Sequence, residues 1–184
     1  MKLALVVGHR SSKKGAYGNM GISEYGFYTS FVNELVNRLN HEAFGHEYMV
    51  FYRKDDGGGG YSERMKDLHT RIDTWGAKVS ISFHFNAAGD EAINGHEILY
   101  CSSKGHDLAV ELDELFDAYL DNRDRNIKKR TKNQRGGGFL CRGKSTCILI
   151  EPFFSAWQNR FIEGGDMREP LKNALVDFIS SLKI

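Results

Sequence analysis

Apolar residues in this chain fall into two alternating patterns: short continuous runs, and stripes at helical spacing. The runs lie at 3–7, 46–52, 97–101 and 147–150, and the most informative at 79–88, VSISFHFNAA, where an apolar run ends on His84 followed by small polar residues. Bounded by Gly76 and Lys78 on one side and by 86–89 on the other, it has the pattern of a central strand buried on both faces. The first stripe is Tyr28, Phe31, Val32, Leu35 and Leu39 within 23–40, with Ser23 placed to cap. The second, after the glycine run 57–60, is Met65, Leu68, Ile72 and Trp75, with Ser62 placed to cap. A third runs through Leu108, Leu112, Leu115, Phe116, Tyr119 and Leu120. The last is Leu171, Leu175, Phe178, Ile179 and Leu182, with Pro170 near its start. Strands alternating with helices predict an α/β fold: a twisted, largely parallel or mixed sheet of about six strands with helices on both faces. No internal repeat and no long linker divides the chain, so 1–184 is expected to form one domain.

In open sheets of this kind, ligands gather just outside the carboxyl ends of the strands. Three chemically capable side chains stand there: His9 after 3–7, His84 after the central run, and Glu151 after 147–150. A lone histidine or glutamate at a strand end is more often a hydrogen-bonded or solvated residue, but three at equivalent positions point to a site. Glu24 adds a carboxylate in the first turn of the first long helix, which can aim it back at the strand ends. A glutamate there is also favoured by the helix dipole alone. Two neutral imidazoles and one carboxylate make the three-ligand set of an open catalytic zinc site, with the fourth position left for water.

Composition narrows the function classes. With 25 basic against 24 acidic residues and a net charge of +1, no whole-protein field argues for nucleic acid. Cys101, Cys141 and Cys147 are an odd set without C-x-x-C spacing, so reduced thiols are expected rather than a disulfide framework or a cysteine zinc cluster. The opening apolar run is too short for a signal peptide, and no stretch approaches the roughly 20 apolar residues of a membrane helix. The expectation is a monomer made in the cytoplasm without an export signal or membrane partner. Residues 123–135 carry seven Lys or Arg and one Asp, a local +6 that reads as a solvated loop, with attraction to an anionic polymer as the functional alternative. Residues 138–145, GFLCRGKS, match the P-loop pattern G-x-x-x-x-G-K-[ST] letter for letter, which raises nucleotide binding as an alternative. That mechanism needs a strand before the loop and a helix after it, whereas loop-like residues precede this match and the strand-like TCILIEPFF follows.

Four strings occur in a telling order: GHRSSKKGA with a downstream glutamate, YRKDD followed by Arg64, SISFHFNAA, and ILIEPFF. In that order and over nearly the whole chain, the sequence resembles zinc-dependent N-acetylmuramoyl-L-alanine amidases of the type 3 family. The resemblance implies that His9, Glu24 and His84 bind one Zn²⁺ and that Glu151 is the catalytic glutamate. The implied substrate is peptidoglycan, cut between the lactyl group of muramic acid and the first alanine of the stem peptide. In such chemistry zinc brings the pKa of water to about 7, and the glutamate takes the water proton and returns it to the leaving amine. Asn86, just past the central strand, is a candidate substrate contact. The expected context is a phage endolysin that reaches the wall after release, with no separate cell-wall-binding domain; a bacterial remodelling amidase is the alternative. A non-catalytic wall-binding module is disfavoured because all four side chains are present. The sequence departs from the family pattern at 10–14, RSSKK in place of a glycine-rich loop, at Lys78, where an acidic residue is usual, and at Pro152 after Glu151. These departures bear on the shape of the groove.

Overall fold

The computed structural model describes residues 1–183 except 56–58, 89 and 91. Asp56 of the YRKDD string, two glycines of the 57–60 run and the last boundary residue of the central run therefore lie outside the described residues. In chain order the elements are β1 (Lys2–Val7), α1 (Glu24–Glu42), β2 (Glu47–Tyr52), α2 (Tyr61–Trp75), β3 (Val79–Phe83) and β4 (His96–Tyr100). They continue with α3 (Ser103–Tyr119), β5 (Asp124–Lys129), the one-turn α4 (Gly137–Leu140), β6 (Thr146–Glu151), a 3-10 helix (Ser155–Arg160) and α5 (Arg168–Ser181).

The sheet order is β2-β1-β3-β6-β4-β5. β1, β2, β3 and β6 run parallel, whereas β4 runs antiparallel against β6 with β5 parallel beside it. The sheet is thus mixed, and β4 and β5 begin at the edge where the other four strands end. Alternation along the strands divides the core. Leu3, Leu5, Val7, Ile81, Phe83, Ile148 and Ile150 pack against α1, α3 and α5, and Ala4, Val6, Leu99 and Leu149 pack against α2 and α4. Each such fully buried Leu, Ile or Phe is worth about 1.5–3 kcal/mol. Among the described residues no helix is long and apolar enough to cross a membrane.

Three local expectations are corrected. The cap of α2 is Gly60 rather than Ser62, and Glu63 reaches back to accept from the Gly60 N–H at 2.5 Å. The basic stretch is no solvated loop: β5 lies within it, paired to β4. Cys101 and Cys141 form a disulfide, leaving Cys147 as the free, buried thiol. Their separation of 40 residues hides the pairing from any spacing rule, and the packing of α4 against the sheet brings Cys141, at its end, to Cys101, just past β4. The P-loop match is α4 and a turn that lead into β6, as its flanking residues predict, and its Gly143-Lys144-Ser145 end lies at the start of β6, away from the strand ends that carry His9, His84 and Glu151. The Lys144 N–H there donates to Asp73 Oδ1 at 2.9 Å, and no helix follows to receive a phosphate.

Candidate functional site

Register is what gathers the chemistry. Val7 pairs with Phe83, and Phe83 with Ile150, so β1, β3 and β6 end level with one another. The level ends are stitched by Gly8 N–H to the Phe83 carbonyl at 3.0 Å and His84 N–H to the Ile150 carbonyl at 3.0 Å. Gly8 has to be glycine: a Cβ there would lie 2.4 Å from the Phe83 carbonyl oxygen and 2.5 Å from the His84 ring. His9 then takes a left-handed conformation, φ 63°, which turns its imidazole over the ends of the neighbouring strands. Arg53 Nε holds that turn by donating to the His9 carbonyl at 3.0 Å.

Glu24 arrives from the first residue of α1, whose start is fixed by Ser23 accepting from the Gly26 N–H at 3.1 Å. Its carboxylate is buried and meets both imidazoles, Oε1 with His84 Nδ1 at 2.8 Å and Oε2 with His9 Nε2 at 3.0 Å. One donor atom from each of the three residues falls within 4.8 Å of the others. Burial opposes ionisation of Glu24, but hydrogen bonds from His84 and His9 hold its carboxyl down at about 2. Burial pushes the His84 imidazole below its ordinary value, against the pull of Glu24. Tyr28, read from sequence only as part of an apolar stripe, donates to the His84 carbonyl at 2.6 Å and fixes the end of β3. Two ring nitrogens and an ionised carboxylate converging on one point are a donor set that suits a zinc ion.

A second cluster lies across the same pocket, a cavity of about 360 Å³ whose apolar lining includes Leu99, Phe139 and Leu149 and whose polar lining includes His9, Glu24, His84, Asn86, Arg135 and Glu151. Glu151 is 5% exposed and pairs with Arg135 Nη2, which also lies 3.4 Å from Glu97 Oε1 and donates to Asn86 Oδ1 at 2.8 Å. Asn86 is therefore buried against Arg135 rather than free at the rim. Glu97 is the cross-strand partner of Glu151 in the antiparallel β4–β6 ladder. Burial raises the Glu151 carboxyl to about 8; Arg135 pulls it down and Glu97 pushes it up. Glu97 goes the other way: burial opposes ionisation, yet Lys128 above all holds it at about 2. Within this pair the proton belongs to Glu151.

Glu97 and the partners of its carboxylate were not found by sequence reasoning. Their signal was a carboxylate at one end of an apolar strand and a basic stretch nearby. The link is a bulge: His96 pairs with Asp124 but Ile98 with Ile127, and Asn126 takes φ 67° to absorb the extra residue. Arg125 and Lys128 thereby both reach Glu97.

The profile of the N-acetylmuramoyl-L-alanine amidase family matches residues 3–180. No curated protein sequence matches the chain significantly. Among solved structures, the chain is similar to the catalytic domain of the CD27L endolysin targeting Clostridia difficile, with 23% identity, a TM-score of 0.80, and 100% of this chain and 99% of that one covered. It is similar to the N-acetylmuramoyl-L-alanine amidase from Clostridium difficile 630, with 20% identity, TM-score 0.78, and 98% and 95% covered. It is also similar to the catalytic domain of CwlV, an N-acetylmuramoyl-L-alanine amidase from Bacillus (Paenibacillus) polymyxa var. colistinus, with 19% identity, TM-score 0.76, and 97% and 96% covered. At these identities the structural likeness is one of fold.

Proposed function

The chain belongs to the N-acetylmuramoyl-L-alanine amidase family and is a peptidoglycan amidase, and from that premise we propose a zinc-dependent hydrolase in which His9, Glu24 and His84 hold one Zn²⁺ and Glu151 carries protons. The bond cut is the amide between N-acetylmuramic acid and the L-alanine of the stem peptide. The observation that carries this reading is the convergence of two imidazoles and a buried carboxylate within 4.8 Å, across one pocket from a carboxyl titrating near neutrality.

Zinc, when bound, supplies Lewis acidity toward a water and an amide carbonyl. The chain's own residues do the rest. Glu151, with its carboxyl near 8, can take a proton on its carboxylate and deliver it to the leaving amine nitrogen at close to neutral pH, which an amide demands because the free amide anion leaves poorly. Arg135 holds the Glu151 carboxylate in place, and ionised Glu97 returns the proton to Glu151 rather than keeping it. Leu99, Phe139 and Leu149 make an apolar lining that limits the water reaching the reacting amide. Asn86, which lines the same pocket but is buried, acts through Arg135.

Mass spectrometry of digested peptidoglycan, with metal analysis of the same sample, tests this. Stem peptides with free alanine amino termini and about one zinc per chain are expected; new reducing sugar ends instead would refute it. The biological role we propose is that of an endolysin, which accords with the fold shared over the whole chain with an endolysin catalytic domain. Clearing of a suspension of walled bacterial cells supports lysis. Trimming of isolated wall without clearing supports remodelling.

A further inference from the structure

On the opposite face of β4 from Glu97, a second group of potential ligands has no part in the amidase site. His96 is the first residue of β4 and is fully buried. Asn122 fixes its tautomer: the Asn122 amide donates through Nδ2 to the Pro152 carbonyl at 2.8 Å, so its Oδ1 faces His96 Nδ1 at 2.7 Å and must accept from it. The neutral ring then carries its lone pair on Nε2. That atom is buried and has no hydrogen-bond partner, and it points at three carboxylates: Asp117 at 3.4 Å, Asp113 at 3.6 Å and Asp124 at 3.8 Å. Asp113 Oδ1 is likewise buried without a hydrogen-bond partner. Donor atoms of His96, Asp117 and Asp124 fall within 4.8 Å of one another, as those of His9, Glu24 and His84 do.

His96 Nε2, Asp117 and Asp124 converge within 4.8 Å with Asp113 beside them, and although the Asn126 N–H donates to Asp124 Oδ1 at 2.5 Å, the buried Nε2 and Asp113 Oδ1 face these carboxylates with no donor between them. Asp113 and Asp117 are one turn apart on α3 and so share a face, Asp124 begins β5, and His96 begins β4. We propose that His96, Asp113, Asp117 and Asp124 form a second metal site, for a divalent cation that accepts one imidazole nitrogen among carboxylate oxygens, of the Zn²⁺ or Mn²⁺ class. The Asn122 amide is its orienting outer partner, as a hydrogen bond from the far ring nitrogen commonly is. The Asp117 side chain is 55% exposed and that of Asp124 35%, so an ion enters from solvent and keeps water in its remaining positions. The ion clips α3 to the starts of β4 and β5. Through Asn122 it also steadies Pro152, the residue after Glu151.

The competing occupant is a proton: a His96 imidazolium would also satisfy the three carboxylates. Chelator-stripped full-length protein is therefore titrated with Zn²⁺ and the bound metal counted, in wild type, in Asp117→Asn/Asp124→Asn and in His84→Ala. Asp117 and Asp124 are accessible enough for asparagine to leave the fold intact, which circular dichroism checks. Two equivalents in wild type and one in each variant are expected, with the Asp117→Asn/Asp124→Asn protein still hydrolysing wall material. One equivalent in wild type that survives Asp117→Asn/Asp124→Asn overturns the second site and leaves the imidazolium cluster. Two equivalents that survive the same variant overturn it as well. One equivalent that survives His84→Ala but is lost in Asp117→Asn/Asp124→Asn supports this site and refutes the catalytic zinc reading instead.

Discussion

Replacing Glu151 by glutamine keeps the size of the side chain and most of its hydrogen bonding but removes the ability to accept a proton. If Glu151 shuttles the proton, turnover should fall by about 10²- to 10⁴-fold, toward the upper end because the same group serves both steps. That corresponds to roughly 3–5.5 kcal/mol of barrier. The same substitution has an opposite effect on stability. Burial raises the folded-state pKa of Glu151 from an ordinary 4.5 to about 8, so the fold favours the protonated carboxyl. That contribution is whole below pH 4.5 and is lost as pH rises through 8, at a cost on the order of 5 kcal/mol for the full displacement. A neutral amide escapes this loss, and Arg135, 58% exposed, returns to solvent at little expense. Glu151→Gln should therefore melt at a higher temperature than wild type at pH 9 and at a similar one at pH 5, while retaining its zinc. The assay follows free alanine amino termini released from wall fragments at several pH values, with metal content and thermal melts on the same preparations. A folded, zinc-loaded variant cleaving at near wild-type rate would refute the mechanism. A variant destabilised at every pH would show Glu151 to be a structural anchor.

His84→Ala should lose the catalytic zinc and all amidase turnover, read by metal analysis and the same release assay. Arg135→Gln removes the charge that lowers Glu151, so the acidic limb of the pH–rate profile should move to higher pH; an unmoved limb would mean that Glu151 does not control it. Breaking the Cys101–Cys141 bond frees a loop of 40 residues, worth up to about 4 kcal/mol by chain entropy, and a clear drop in melting temperature on adding reductant is expected. Lys144→Ala should leave wall hydrolysis within about twofold, since such surface changes seldom matter, and ATP binding that vanished in it would revive the phosphate-loop reading.

The strands that carry the pocket could be read because they are buried on both faces: continuous apolar runs place His9, His84 and Glu151 at strand ends before any register is known. Register, which brings them level, is not in the pattern of any one segment. β5 could not be read at all. DRNIKK has one apolar residue and sits at a sheet edge, where neither face is deeply buried and charge is tolerated. Glu97 and Arg135 escaped for a related reason, since each looked like an ordinary charged residue until the antiparallel course of β4 set Glu97, and the segment entering α4 set Arg135, beside Glu151. The disulfide joins residues whose approach depends on packing around the far side of the sheet.

His96 and Glu97 are neighbours facing opposite ways, and each meets charges of its own. On one side the imidazole looks at Asp113, Asp117 and Asp124; on the other the carboxylate looks at Arg125, Lys128 and Arg135. A slip of β4 by one residue would exchange the two faces. The Glu97 carboxylate would then confront three carboxylates, and Arg125, Lys128 and Arg135 would lose the anion they share. The strand is keyed as a two-sided lock is keyed, wrong on both sides at once or right on both. A strand of five residues, three of them apolar, that could otherwise settle in either of two pairings is left with one, and Glu97, which closes off the error, is also the residue that keeps the proton on Glu151.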